Sequence, residues 1–473
     1  MLLRVSLVGS VVTYGGLYWF FPLLREDTQQ LLLAGKRLAN ISFTAAHIGY
    51  NYLDGITQEK HTKNAQLLYN TLKVNGGLYV KLGQVLAMMD LVIPEEYSEA
   101  MKPMLNEATV SEYESVKSVI ETDLQSKIED LFESFDKVPI ASASLAQVHK
   151  ATLKSGESAA VKVQHKWVKQ QFPGDIRVLE FLAILANTLF NDFDYMWIIE
   201  DLKKSIAQEM NFTIEAENAQ RCFSLFQNDP YIKVPKVYTN LSSSRVLTMD
   251  FMKGVRICDI EEIKKMGVKL EDVAYTLSRA FNEMIFVHGF VHCDPHPGNI
   301  FVSVNESGKP LIIILDHGLY RELSKEKLAS YTNMWKSIIN KDEESMKKYA
   351  AELGVFSLYP LLAGMMVGRT WDEIMDEGAG LERLRNPRAS LKDKEAIRMH
   401  AQQWRNEINQ VLGRMDNEIV LLFKTFEWLR ANDAALGAPI NTIEIIAEYL
   451  NRDEGFWTKT WTRLKLWVYK KIV

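Results

Sequence analysis

Apolar residues recur at helical spacing in "TQQLLLAGKRLANISFTAAHI" and again in "YESVKSVIETDLQSKIEDLFESF", which predicts that residues 28 to 135 are mostly helical. At residue 138 the texture changes. "VPIASASLAQVHKATLKSGESAAVKVQ" (138–164) breaks into short β-prone runs around a Ser-Gly turn, the pattern of an antiparallel hairpin. A helical stretch follows over roughly 174 to 227, and "VPKVYTNLSSSRVLTMDFMKG" (234–254) again reads as strands. From about 268 the chain is helical, interrupted by "VHCDPHPGNIF" and by two strand-like runs, "IFVSV" and "LIIIL", joined by "NESGKP". Strands first and helices afterwards predict an α+β fold with two lobes.

The two ends carry a different signal. From Val5 to Leu24 the chain has no charge, and those residues would span roughly 30 Å as a helix, about one hydrocarbon core. Tyr18, Trp19 and Phe20 cluster near its far end, as aromatic residues do at a membrane interface. A membrane anchor is the expectation, with a cleaved signal peptide or a buried core helix as alternatives, since Gly9, Gly15, Gly16 and Pro22 weaken a helix. At the other end Trp457, Trp461, Leu464 and Val468 fall near helical spacing among basic residues. That pattern fits an interface-seeking helix or a terminal helix packed on the body.

Composition narrows the partners. The chain of 473 residues is 47% hydrophobic and 24% charged with a net charge of −5, so a large core is possible and nothing argues for nucleic acid. Three cysteines (Cys222, Cys258, Cys293) lack disulfide-framework or zinc-site spacing.

Five polar positions supply candidate chemistry. Lys162 sits in the strand-like "AAVKVQ", Glu215 in the following helix, Asp294 and Asn299 in the loop stiffened by Pro295 and Pro297, and Asp316 at the end of "LIIILD". Alone, a lysine in V-K-V is a half-exposed strand residue and a helix glutamate is a solvated charge. In this order they match the needs of phosphoryl transfer. A lysine meets phosphate oxygens, a glutamate orients it, an aspartate accepts the substrate proton, and an asparagine and aspartate hold metal.

The motifs go further. "VKLGQ" (80–84), "ASASLAQVHKA" (141–151), "VKVQH", "VHCDPHPGN" and "ILDHGLY" together resemble the UbiB, or aarF-domain-containing, atypical kinase family, over about residues 60 to 440. The last of these is similar to the mitochondrial subgroup with D-H-G in place of D-F-G. The resemblance implies a bilobal protein-kinase-like fold with a helical N-terminal extension. Its expected divisions are 1–27 (anchor or targeting segment), 28–135 (extension), 136–250 (N-lobe) and 251–473 (helical C-lobe). It further implies that Lys81, Gly83 and Gln84 form the family's K-x-G-Q motif, which folds back over the active site toward an E-x-D motif. Here Glu209-Met210-Asn211 stands at that place, with Asn211 for the usual aspartate and Glu209 as the expected partner. Ala141, Ser142, Ala143 and Ser144 would cover ATP or ADP, Lys162 and Glu215 would serve the phosphates, and Asn299 and Asp316 would hold Mg2+. Asp294 would position a water or a hydroxyl acceptor.

Departures from protein kinases shape the expected function. The nucleotide loop has no glycine, Asp294 follows Cys293 instead of arginine, and no A-P-E stretch offers a peptide platform. His317 could serve metal or proton transfer, or pack in place of the usual phenylalanine. The resemblance therefore implies a membrane-associated ATPase or kinase-like enzyme in lipid or prenyl-quinone (coenzyme Q) homeostasis. Its expected place is the mitochondrial inner membrane, with the body facing the intermembrane space. A small-molecule phosphotransferase and a non-catalytic, nucleotide-gated lipid-binding scaffold are the alternatives.

Overall fold

The computed structural model describes residues 28–87, 93–106, 110–189, 199–200, 203, 206–207, 209–355, 358–376, 381, 384 and 417–451. The expectations for Val5–Leu24 and for 457–473 lie outside them, and no described helix is long and apolar enough to cross a membrane. The chain forms two compact units. One comprises residues up to Ile214 with Val237–Phe251, the other Glu215–Lys236 with Met252 onward.

The first unit combines a helical extension with an antiparallel sheet. Helices α1 (Thr28–Asn51), α2 (Gln58–Asn75) and α3 (Leu78–Ala87) pack with α4 (Lys166–Leu189) around Ile41, Leu72, Tyr79, Met101, Met104 and Leu179. The sheet has strands β1 (Phe132–Phe135), β2 (Ala141–Ser142), β3 (Ala146–Leu153) and β4 (Ser158–Gln164). Strand β5 (Ile232–Lys233) belongs to the other unit, and β6 (Val246–Asp250) returns to this one in the order β1-β3-β4-β6, with β2 beside β3. The predicted hairpin is β3–β4, with Thr152 opposite Ser158 and the turn closed by Gly156 at φ 94°. Val161 and Val163 alternate into the core on either side of Lys162.

One sequence expectation fails here. The helical reading runs to residue 135, but the helix Tyr113–Leu124 ends at Gln125, which is left-handed (φ 53°), and 132–135 is strand β1. The periodicity of "KIEDLFESF" suits a helix. Pairing with Ala151, Thr152 and Leu153 satisfies the same backbone groups and buries Phe132, and that long-range gain prevails. Helix α4 also starts earlier than expected, at Lys166, with Pro173 inside it.

Helix α5 (Phe212–Phe226) begins the passage into the second unit, whose sheet runs β5-β10-β9-β7, with β7 (Val255–Arg256), β9 (Ile300–Val304) and β10 (Pro310–Ile314). Strand β8 (Phe290–His292) pairs separately with β11 (Tyr320–Glu322). The predicted β9–β10 hairpin forms because Asn305 Oδ1 accepts from the amides of Ser307 and Lys309 while Gly308 takes φ 69°. Helices α6 (Leu270–Glu283), α7 (Lys325–Asn340), α8 (Asn417–Ala435) and α9 (Thr442–Leu450) contribute much of this unit's core, together with the helices Glu343–Glu352 and Tyr359–Val367.

Candidate functional site

Within the second unit the loop after β8 and the end of β10 come together through backbone bonds. Leu315 N–H donates to the Asn299 carbonyl at 2.8 Å, so the two ends of the β9–β10 pair set the spacing of Asn299 and Asp316. Asn299 Nδ2 donates to the Asp294 carbonyl (3.1 Å) and carboxylate (3.3 Å), which ties the loop from Asp294 to Asn299 into a closed turn. Asp316 adopts a left-handed φ of 55°, a conformation aspartate tolerates better than most side chains, and its Oδ1 accepts from Gly318 N–H at 3.2 Å. A Cβ at position 318 would stand 3.2 Å from that Oδ1 and 3.9 Å from Glu215 Oε2, so a glycine here leaves room for two carboxylates. Glu215 is buried and Asp316 is exposed.

Three residues absent from the expected set hold this arrangement. His292 is fully buried, and since the Asp294 amide can only donate to its Nδ1 (3.2 Å), its Nε2–H donates to the Asp316 carbonyl at 2.8 Å. One imidazole thus links the segments carrying both acids. Asn218, one turn beyond Glu215, donates to the His317 carbonyl at 3.0 Å. Asn432 of α8 donates to the Pro295 carbonyl at 2.9 Å. The sequence offers a signal for the first in H-x-D, a weaker one for the second in its i, i+3 spacing from Glu215, and none for the third.

His317 is buried, with Nδ1 accepting from Tyr320 O–H at 2.9 Å and Nε2–H donating to the Ile314 carbonyl at 3.2 Å. Both ring nitrogens are engaged and the ring stacks on Tyr320, which favours the packing role over metal or proton transfer. Cys293 is equally buried. Its thiol donates to the Val291 carbonyl, and burial pushes its pKa up to about 12, as it does for Cys222.

The first unit holds the remaining candidates. Lys162 lies on the central strand β4, opposite Val148 and Leu247, with its ammonium 5.2 Å from the Phe212 ring centroid. The Ala-rich loop is the β2–β3 turn, closed by Ala143 N–H to the Ala146 carbonyl at 2.8 Å. None of Ala141, Ser142, Ala143 or Ser144 has positive φ, so this loop uses only conformations open to alanine. Lys81 on α3 lies 2.8 Å from both carboxylate oxygens of Glu209, and Gln84 Nε2 donates to the Met104 carbonyl at 3.0 Å. Gly83 allows that approach, because a Cβ there would collide with Met104 Sδ. Asn211 makes no second acid. Its Oδ1 accepts from Thr213 N–H at 3.1 Å at the start of α5.

The ABC1 atypical kinase-like domain matches residues 103–350. The chain is also 36% identical over 443 residues to the AarF domain-containing protein kinase 1 of Mus musculus, covering 89% of this chain and 83% of that one. It belongs to the ABC1/AarF atypical kinase family. A putative ABC1 protein of Arabidopsis thaliana is 35% identical over 442 residues, covering 87% and 82%. The solved structure of the Mycobacterium tuberculosis Rv3197–erythromycin complex shares the fold, with a TM-score of 0.51 at 18% identity over 82% of this chain and 95% of that one.

In this ABC1-family chain the donor set fits a magnesium site of the phosphoryl-transfer kind. Among the described residues no group of three or more His, Cys, Asp or Glu side chains forms a self-contained metal site. Mg2+ beside a nucleotide requires none, because one or two protein oxygens suffice when phosphates and water supply the others. Asn299, its amide nitrogen committed to Asp294, offers Oδ1, and Asp316 offers its carboxylate.

Proposed function

We propose that the chain is a nucleotide-dependent ATPase or kinase-like enzyme of lipid or prenyl-quinone homeostasis, held at a mitochondrial membrane. The observation that carries this reading is the Asp294–Asn299–Asp316 cluster, in which side-chain and backbone bonds present an acid, an amide oxygen and a second acid from one rigid frame. Bound Mg2+ would neutralise phosphate charge. Asn299 and Asp316 would hold the metal, Lys162 would engage phosphate oxygens, and Glu215 would be the group that orients it. Asp294, its carboxylate steadied by the Asn299 amide, aligns a water or hydroxyl and accepts its proton.

A non-peptide acceptor is supported by the short distance between the D-H-G segment and α7. Only residues 319–324 intervene, three of them in β11, leaving no activation segment on which a peptide could lie. The family's K-x-G-Q lysine is already committed to Glu209. Membrane placement draws on the uncharged run Val5–Leu24.

The test is thermal-shift titration of the membrane-reconstituted chain with Mg2+–ATP and Mg2+–ADP, followed by ATP turnover and lipid profiling of wild type beside Asp316→Asn. Metal-dependent stabilisation should appear in wild type and vanish in the variant, because only a ligand of the native state stabilises it. An equal shift in Asp316→Asn would refute the metal assignment, and broad phosphorylation of peptide arrays, lost in Asp294→Asn, would refute the non-peptide acceptor. Release by alkaline carbonate would refute the anchor.

A further inference from the structure

Beneath the Ala-rich loop lies a chain of polar groups that phosphoryl transfer does not use. Gln147, His149 and His165 are at most 2% exposed, and polar side chains this deep need hydrogen-bond partners. Their partners fix the proton positions. The Ala143 carbonyl can only accept, so His165 Nε2–H donates to it (3.2 Å) and Nδ1 accepts from Ser111 Oγ–H (2.8 Å). The Asp136 carbonyl takes His149 Nδ1–H at 2.7 Å, and His149 Nε2 accepts from the Gln147 amide at 2.9 Å. The same amide clasps the backbone of Ser111, accepting from its N–H at 2.7 Å and donating to its carbonyl at 3.2 Å. Gln147 thereby commits both amide hydrogens, and every donor in the chain meets an acceptor.

Burial pushes both imidazoles below their ordinary pKa, so the neutral forms this pattern requires prevail at neutral pH. The His165 ring is further fixed by stacking on Trp167, with centroids 5.5 Å apart and planes 11° apart. A loop without glycine has few conformers of its own, and a bond to one of its carbonyls selects among them. Ser111 precedes the helix Tyr113–Leu124, on the route from the N-terminal extension into the sheet.

We propose that Ser111 and His165 are positioning residues for nucleotide binding: the serine hydroxyl holds the imidazole in the tautomer that pins Ala143, and so fixes the loop against phosphate. The proposal rests on the assignment of residues 141–144 to the nucleotide.

Two measurements on the full chain test it, each on wild type, Ser111→Ala and Ser111→Thr. The alanine variant loses one hydroxyl and keeps the Gln147 clasp on the backbone. Amide hydrogen exchange without nucleotide should accelerate about fivefold to tenfold at 140–146 in Ser111→Ala, the scale of one lost hydrogen bond, while β3 and β4 stay protected. The Kd for Mg2+–ADP, by calorimetry, should rise about threefold to tenfold on the same scale. Ser111→Thr should restore both values. Unchanged exchange overturns the relay. Faster exchange with unchanged ADP affinity overturns its role in nucleotide binding, and failure of threonine to restore either value shows that packing and not the hydroxyl matters. A wild-type chain that binds no Mg2+–ADP overturns the loop assignment itself, and the exchange data then judge the relay alone.

Discussion

Each unit is braced by a partly or wholly buried arginine–aspartate pair, and the two are built differently. In the first unit Arg37 of α1 reaches Asp175 of α4 through one nitrogen, Nη1, at 2.9 and 3.2 Å, while its Nε is buried without a hydrogen-bond partner. In the second unit Arg279 of α6 grips Asp229 with two nitrogens at 2.7 and 2.9 Å, and the Tyr231 amide adds a third bond to the same carboxylate. Burial dominates the first pair and pushes the Asp175 carboxyl up to about 6 despite Arg37. Burial also raises Asp229, but the Arg279 fork and the backbone donors outweigh it and hold that carboxyl below its ordinary value. Having an arginine partner does not settle an aspartate's charge. The number of donors and the exposure do.

The opposite shifts give opposite pH dependences. Asp175 binds its proton more tightly folded than unfolded, so its contribution is fullest below the unfolded value of 3.8. It is lost as pH rises through about 6, a change on the order of 3 kcal/mol. Asp229 contributes above its unfolded value and loses that contribution as pH falls through its lower folded value.

The largest effect should come from Arg37→Met, which leaves an unpaired buried carboxylate and costs about 3–5 kcal/mol at neutral pH. Urea unfolding at pH 7.5 and pH 5 checks this, and the loss should shrink at pH 5 as Asp175 protonates. An equal loss at both values would mean that the carboxyl is not raised. Arg279→Met should cost less, about 1–3 kcal/mol, because water reaches side chains that are 23% and 17% exposed. Its signature lies in acid: wild type should lose stability below about pH 4 more steeply than the variant. Smallest of all should be the double change Arg37→Met with Asp175→Leu. Exchanging a buried pair for apolar side chains should leave stability within about 1 kcal/mol of wild type or above it, with a flatter profile between pH 4 and 6. Severe destabilisation of the double variant would show that the pair contributes more than it costs to desolvate.

Much of the site was legible because its signals are local. Pro295 and Pro297 announce a stiff loop, Asn305 and Gly308 announce the turn that sets β9 against β10, and Ser155-Gly156 announces the hairpin carrying Lys162. The bidentate Lys81–Glu209 pair followed from the family resemblance, since nothing in the spacing of residues 128 apart requires it. What escaped depends on partners distant in sequence. Asn432 meets Pro295 across 137 residues, and β1 reads as helix until β3 lies beside it. His149 and His165 look like ordinary strand-edge polar residues, because periodicity marks a buried face without naming the atom that satisfies a nitrogen there. Asn211 was conspicuous as a missing acid, and its place at the start of α5 became apparent only from its bond to Thr213.

The burial of two thiols has a practical corollary. Thiolate is the reactive form, and Cys222 and Cys293, held near pKa 12 and out of contact with solvent, present almost none of it at pH 8. Cys258 is exposed. Alkylation of the native chain should therefore stop at a single adduct, and the denatured chain should take all three. Intact-mass counting of adducts after a brief pulse would turn the protein's own cysteines into a gauge of how often its second unit opens, with no dye, tag or bound nucleotide required.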